Sequence, residues 1–375
     1  MSNTGNRKGT LKRLAAELEL SVTTVSRALG GYTDVADATR QRVLDAATRN
    51  AYVPNAAGRM LVTGRSGFIG LLLPLRDRAR LDPFLGEYIA GLSEALAERG
   101  RDLFMATVAS RQSELDVLRH VVESGRADGI VLNRIGECDE RVDYLVSRGF
   151  PFVTHGRTLE AQDRYSWVDT DGATAFADTF RWLYQLGHRR FGLLSITENM
   201  TFRRHREEGF RRAVAEQDDP QVSVVATHVP RFDVAARQQA VHTMLADTAR
   251  PTAILALTDE LALCALELAS GLGIQVPDQL SVVGFDNIPE SAFSTPGLTT
   301  FDQCTREAAR QLATLLLDSL DSLDSPDGQS GTTHTLITPA LVKRGSHAPA
   351  PGAPHTVHGT VPANRATTTT RGSYS

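Results

Sequence analysis

The sequence predicts two unlike parts in one chain. An N-terminal all-α helix-turn-helix headpiece comes first, and a larger two-lobed α/β body of parallel, doubly wound sheets follows. Three observations carry this. Residues 11–29 hold two short helical stretches, each with a capping hydroxyl before it. From Ser66 to Val342, apolar runs alternate with amphipathic stretches. Charge is split: the first 65 residues hold ten Lys/Arg against five acids, so a +5 segment leads a remainder of −9.

Thr10 can cap a helix from Leu11 to Leu18, where Leu11, Leu14, Ala15 and Leu18 fall on one face. After a break at Glu19-Leu20, Ser21 caps a second helix from Val22 to Leu29, and Gly30-Gly31 stop it. Val25 and Leu29 turn toward the first helix. Val22, Thr23, Ser26 and Arg27 are left on other faces, and the early residues of such a second helix can reach base edges in a major groove. Val22 and the Thr23 methyl suit a thymine methyl, and the Arg27 fork suits guanine or a phosphate. Ser21, Thr24 and Ser26 suit backbone phosphates, which position without specifying. A helical hairpin with a solvated face is the plain alternative. A third helix is expected from about Ala38 to Asn50, with Val43, Leu44, Ala46 and Ala47 as core.

Several spaced strings then agree in order: Thr10-Leu11-Lys12, Leu20 to Leu29, Thr39-Arg40-Gln41-Arg42-Val43-Leu44 and Tyr52-Val53-Pro54-Asn55. Together they resemble the lactose-repressor (LacI/GalR) family of transcription regulators. The resemblance implies that Val22, Thr23 and Arg27 read bases. It makes Pro54 to Leu61 a hinge helix that folds on double-stranded operator DNA, with Asn55 and Arg59 also at the duplex. Leu61 takes the place of a leucine wedged into the minor groove, which unstacks a base step. Three departures stand out. Glu19 occupies a turn position often held by Gly or Asn. Ala36 stands where a Ser or Thr usually caps the third helix, with Asp37 as a substitute. Gly58 lowers the helicity of the hinge.

The implied domains are a disordered N-terminus 1–9, the headpiece 10–53, a hinge 54–65, an effector and dimerisation body 66–345, and a disordered tail 346–375. The tail is rich in Ala, Pro, Thr and Gly and lacks the leucine heptads of a tetramerising helix.

In the body, the run Gly67 to Pro74 reads as a buried parallel strand. Strands at 102–108, 127–133 and 151–155 alternate with helices at 83–99, 114–123 and 139–148. A second set follows, with strands at 190–194, 222–229, 253–257 and 280–286 and helices at 173–186, 204–215, 233–245 and 259–271. A helix from about Cys304 to Leu320 and a strand from His334 to Val342 close the pattern. The body resembles the family's effector domain, which shares the periplasmic sugar-binding-protein fold. That fold implies three crossings, expected near Ser166, Pro296 and Leu323. Lobe 1 is then about 66–165 and 297–322, and lobe 2 about 166–296 and 323–345.

Ligands in open α/β sheets sit off the carboxyl ends of strands. Asp286, just past a strand end, can accept two sugar hydroxyls, and Arg206 offers a fork of donors. The two also suit an interlobe pair without ligand. Thr258 and Asp259 read equally as ligand contacts or as a helix start. Phe232 can stack on a sugar or pack in the core, and Asp171 can face the cleft or cap the helix from Ala173. His188 reads as structural, closing a helix end. Met200 and Phe202 are apolar where purine-binding relatives carry polar contacts, which disfavours a purine.

The reading is a ligand-controlled transcriptional regulator, a repressor working as a homodimer, with a mono- or disaccharide as effector. It calls for no cofactor, no metal and no membrane, and it places the chain in the cytoplasm. A sugar-binding protein without DNA-directed activity is the alternative. Cys138, Cys264 and Cys304 are scattered, which suits reduced thiols. Met1 to Gly9 carry no apolar signal segment. No phosphate loop or nucleophile elbow supports an enzyme.

Overall fold

Period-3.6 and buried-run patterns separate at residue 66, and so does the architecture. The computed structural model describes residues 10–30, 32, 34–50, 52, 64–74, 84–109, 111–231, 233–323, 331–352 and 368–371. The expected hinge, with Asn55, Gly58, Arg59 and Leu61, lies outside the described residues, as does Phe232.

Helices α1 (Leu11–Leu18), α2 (Val22–Leu29) and α3 (Asp37–Arg49) form the headpiece. Leu14, Ala15, Leu18, Val25, Ala28, Val35, Val43, Ala46 and Ala47 build one core among them. Ala28 is buried, and Leu29 packs at the margin. Leu44 was expected inside but is 41% exposed. It lies a third of a turn from Val43, on the side of α3 facing away from α1 and α2.

The Thr10 and Ser21 caps form as expected, with hydrogen bonds from Arg13 N and Thr24 N. Ala36 is the N-cap of α3 and makes no side-chain bond, and Asp37 does not replace it, because its carboxylate pairs with Arg40. Glu19 ends α1 in the left-handed region at φ 54°. This explains why Gly or Asn suits the position: left-handed backbone costs most residues about 1 kcal/mol, glycine has no Cβ to clash, and the short amide of asparagine can bond locally to the backbone. Glu19→Asn should therefore stabilise the headpiece by about 0.5–1 kcal/mol, read as slower amide exchange in α1–α3. Equal or faster exchange would contradict this.

Lobe 1 is built on β1 (Phe68–Pro74), β2 (Asp102–Val108), β3 (Gly129–Leu132), β4 (Phe152–His155), β5 (Ser166–Thr170), β11 (Thr333–Ile337) and β13 (Thr368–Arg371). Their order is β13-β11-β5-β4-β3-β1-β2, parallel except for β13 on β11. Helices α4 (Phe84–Glu98) and α12 (Thr305–Leu323) cover one face, and α5 (Glu114–Glu123) and α6 (Glu140–Arg148) cover the other. Strand β3 shows why both faces need cover. Val131 enters the core under α4 and α12, while Ile130 and Leu132 enter the one under α5 and α6.

Lobe 2 repeats the pattern with β6 (Arg190–Ile196), β7 (Ser223–Val229), β8 (Ala253–Ala256) and β9 (Ser281–Val283), in the parallel order β7-β6-β8-β9. It carries α7 (Gly172–Gln185), α8 (Thr201–Gln217), α9 (Val234–Ala246), α10 (Asp259–Gly271) and the short α11 (Pro289–Phe293). A ribbon of β10 (Thr300–Asp302) and β12 (Ala340–Val342), paired antiparallel, runs between the lobes.

The crossings lie later in the chain than expected. Ser166–Thr170 is a lobe 1 strand, parallel to both β4 and β11, so the first crossing follows Thr170. The second follows β10 at Asp302 rather than Pro296, and α12 belongs wholly to lobe 1. The expected strand His334–Val342 is two strands in different sheets, and the third crossing is the break between them rather than Leu323.

The tail also keeps its structure past Ser346. Ser346 Oγ donates to the Val282 carbonyl and accepts from Thr299 N, and Ala348 N donates to Ser281 Oγ. His188 is fully buried and holds this strap at the Ala348 carbonyl, 3.0 Å away. Composition hid this because the strap is fastened by backbone and hydroxyl bonds instead of apolar side chains. Among the described residues, no helix is long and apolar enough to cross a membrane.

Candidate DNA-binding and ligand-binding sites

On the headpiece, packing Val25 and Ala28 inward turns the opposite face of α2 outward. Ser21, Val22, Thr23 and Arg27 are exposed, and Thr24 and Ser26 are half-buried. Ser21 Oγ lies 2.8 Å from Thr24 Oγ1, so the two hydroxyls at the helix start form a linked pair. Arg27 Nη1 lies 2.8 Å from Asp34, and its guanidinium is 5.5 Å from the Tyr32 ring centre. An exposed helix start with hydroxyls, a methyl-bearing pair and an arginine is chemically fit for a groove lined with phosphates and base edges.

The second site is the cleft between the lobes, with about 670 Å³ of atom-free space partly open to solvent. Strand ends supply its polar wall: Asn133 after β3, His155 closing β4, Asp169 and Thr170 closing β5, Thr258 after β8, and Asp286 after β9. Gln303 follows β10, and Phe84, Thr201, Phe202 and Arg206 come from the starts of α4 and α8.

Arg206 is fully buried, and its guanidinium lies between the rings of Phe285 and Phe202, 3.7 and 4.8 Å from their centres. It donates through Nη1 to the Leu257 carbonyl. Burial pulls its pKa down to about 10, against the opposing pull of Asp286 and Asp169, so it stays charged near neutrality. Asp286 has φ 129°, a costly conformation for a side chain with a Cβ. Its backbone N is held by the Phe301 carbonyl and its Oδ1 by Gln303 Nε2 at 2.5 Å. Strain sustained by such bonds aims a carboxylate where relaxed backbone would not.

Buried polar atoms of the wall without a hydrogen-bond partner among the described residues include Asp169 Oδ2, Thr170 Oγ1 and Arg206 Nε, Asp169 Oδ2 being met only by long ion pairs from Arg157 Nε at 3.6 Å and His205 Nδ1 at 3.8 Å. They comprise an acceptor, a hydroxyl and a donor, and the cost of leaving such groups unmet is about 1–3 kcal/mol each.

On the floor, His155 stacks on Tyr88 and Phe84 with ring centres 5.4 Å from each. Burial holds its pKa down to about 4. Its folded value thus lies below the ordinary 6.5. The neutral ring is fully accommodated above pH 6.5, and stability falls as pH drops from 6.5 toward 4, where only the unfolded chain takes the proton readily. His155→Phe should flatten that part of the melting-temperature profile of the ligand-free protein. An unchanged slope would assign the loss to other groups.

The lobes also touch directly. Glu137 N donates to the Asn199 carbonyl, Thr201 N to the Ile135 carbonyl, and Arg203 pairs with Glu137 at 2.9 Å.

Of the expected effector residues, Arg206, Asp286 and Thr258 line the cleft. Thr258 also caps α10. Asp259 does not line it: its carboxylate is filled by Ser291 Oγ, Thr300 Oγ1 and Ile288 N, which tie α11 and β10 to α10. Asp171 caps α7 through Thr174 N and lies outside the lining. Asn133, Asp169, Thr170 and Gln303 were not expected. Asp169 and Thr170 could have been found from a strand ending in the acid-rich string Val168 to Asp171.

Two family models match. Residues 10–55 match bacterial regulatory proteins, lacI family, and residues 180–347 match a periplasmic binding protein-like domain. The transcriptional regulator AglR of Rhizobium meliloti is 34% identical over 315 residues, covering 83% of this chain and 87% of AglR. The transcriptional repressor CytR of Escherichia coli K12 is 30% identical, covering 83% of this chain and 89% of CytR. Among solved structures, the CelR–cellobiose complex superposes with a TM-score of 0.67 at 25% identity, covering 90% of this chain and 99% of CelR. The lac repressor dimer bound to operator and an anti-inducer gives 0.74 at 21% identity, covering 91% and 100%, a likeness of fold. With its helix-turn-helix at one end and two lobes around a polar cleft behind it, this chain belongs to the lacI family of bacterial regulatory proteins and is a DNA-binding transcriptional regulator.

Proposed function

We propose that this regulator is a repressor that binds a near-palindromic operator as a homodimer and changes its hold when a mono- or disaccharide fills the cleft. Ser21, Val22, Thr23, Thr24, Ser26 and Arg27 form the duplex-facing surface, with Asn55, Arg59 and Leu61 following in the hinge segment. Arg206, Asp286 and Thr258 contact the sugar, joined by Asp169, Thr170, Asn133 and Gln303.

One observation carries the sugar reading: acceptor, hydroxyl and donor atoms that lack hydrogen bonds among the described residues share one wall with the Phe84 and Phe202 rings. A sugar hydroxyl both donates and accepts, and a pyranose has an apolar face for a ring. The CelR neighbour was solved with cellobiose, which supports this class.

Melting the full chain against mono- and disaccharides, with purine nucleosides alongside, tests it. At a hundredfold excess over Kd, one sugar should add about 2.7 kcal/mol, a rise of several degrees. A panel in which only purine nucleosides stabilise the chain would overturn the sugar assignment. The base-reading role is tested separately. Arg27→Ala should cut discrimination at one base pair of a selected duplex by about 10-fold or more. Unchanged sequence preference would refute it.

A further inference from the structure

We propose that Asp34 is a positioning residue for sequence reading: it holds the Arg27 guanidinium in the pose that meets a base and opposes attachment to unrelated DNA. The inference rests on Arg27 being a base contact.

The loop after α2 is built to place this carboxylate. Tyr32 N donates to the Arg27 carbonyl at 3.1 Å. From α3, Arg40 Nη2 donates to the Tyr32 carbonyl at 2.7 Å and to the Val35 carbonyl at 3.3 Å. Arg40 is itself held by Asp37 at 2.9 Å. Val35 is buried in the headpiece core. Asp34 therefore sits between two anchored residues, and its Oδ2 lies 2.8 Å from Arg27 Nη1. The Tyr32 ring, 5.5 Å from the guanidinium, supports the same side.

Both partners are about half exposed (49% and 48%), and pairs so exposed add little to folding. Orientation is what the contact supplies. A guanidinium held through Nη1 still offers Nε and Nη2 as two parallel donors, the geometry that guanine accepts. Freed from Asp34, the long side chain can reach for any phosphate, and phosphates carry no sequence. The carboxylate also stands on the face that approaches a polyanion. It weakens attachment wherever Arg27 finds no base to compensate. Specificity is a difference between two affinities, and one side chain here acts on both.

The test uses the full chain and duplexes selected from a pool with about 20 randomised base pairs. Wild type, Arg27→Ala and Asp34→Ala are measured against the selected duplex, its single-pair variants and an unrelated duplex. Arg27→Ala is expected to flatten one base-pair preference about 10-fold or more. Asp34→Ala should flatten the same pair about fivefold, leave other pairs unchanged, and bind the unrelated duplex about two- to threefold more tightly. Amide exchange of α1–α3 should not change.

A preference retained in Asp34→Ala overturns the proposal. So does uniform loss at every pair together with faster exchange, which marks a merely structural role. If Arg27→Ala itself leaves all preferences intact, the base-reading premise fails, and that arm shows it independently of Asp34.

Discussion

Replacing Arg206 with leucine is expected to lower sugar affinity at least 100-fold while leaving duplex binding without sugar largely intact. The guanidinium is wedged between Phe202 and Phe285 and directed by the Leu257 carbonyl. Its charge balances Asp286 and Asp169 across the cleft. Losing a charge-assisted fork costs about 3 kcal/mol or more, which is two decades of affinity. Leucine keeps most of the apolar volume, so lobe 2 should still close around it. Lysine keeps the charge but not the plane between two rings, and should recover only part of the loss. Calorimetry with a sugar that stabilises the native protein reads the effect directly. Undiminished affinity in Arg206→Leu would remove Arg206 from the site.

Gly209→Ala should be the most damaging change to the fold itself. A Cβ at this position would lie 1.9 Å from the Ala173 carbonyl oxygen and 2.7 Å from the Ala173 Cα, which are backbone atoms that cannot rotate aside. Helices α7 and α8 approach this closely because Gly209 offers no side chain. The same approach places Gly172 against the stem of Arg206, where a Cβ would meet Cγ at 2.8 Å. Separating the helices therefore unsettles the cleft as well as the core. Destabilisation of about 3 kcal/mol is expected, a fall in melting temperature of roughly 6–12 °C. Gly271→Ala is the control: it lies in the last turn of α10 with nothing within 4 Å of a Cβ, and should be neutral or slightly stabilising. Equal melting temperatures for both variants would contradict the packing argument.

Much of this was legible in the sequence, for reasons that differ by region. The headpiece was readable because short helices must advertise their ends: Thr10 and Ser21 cap as hydroxyls should. The sheets were readable because strands covered on both faces are continuous apolar runs, as in β1.

The lobe crossings were not. Ser166–Thr170 mixes Trp167 and Val168 with polar residues, and it reads as a linker until β4 and β11 are seen on either side of it. His334–Val342 looks like one strand because Pro339 was the only sign of a break between two sheets.

In the cleft, Asp286 stood out as a carboxylate just past a strand end and Arg206 as a fork of donors to match it. Asp259 and Asp171 did not separate from true wall residues, because a carboxylate that starts a helix and one that meets a ligand occupy the same place after a strand. Only their partners tell them apart. Asp259 is filled by hydrogen bonds from Ser291, Thr300 and Ile288, whereas Asp169 Oδ2 has only the long ion pairs with Arg157 and His205 and accepts no hydrogen bond among the described residues.

Reciprocal coupling between the two sites is the most direct measurement of the whole account. Duplex affinity of the full chain is measured with and without a saturating sugar, and sugar affinity with and without the duplex. The predicted result is the same factor in both directions, about 5- to 150-fold, and its disappearance in Arg206→Leu. Equal duplex affinities with the cleft empty and filled would contradict the account, because the lobes would then bind sugar without speaking to the headpiece.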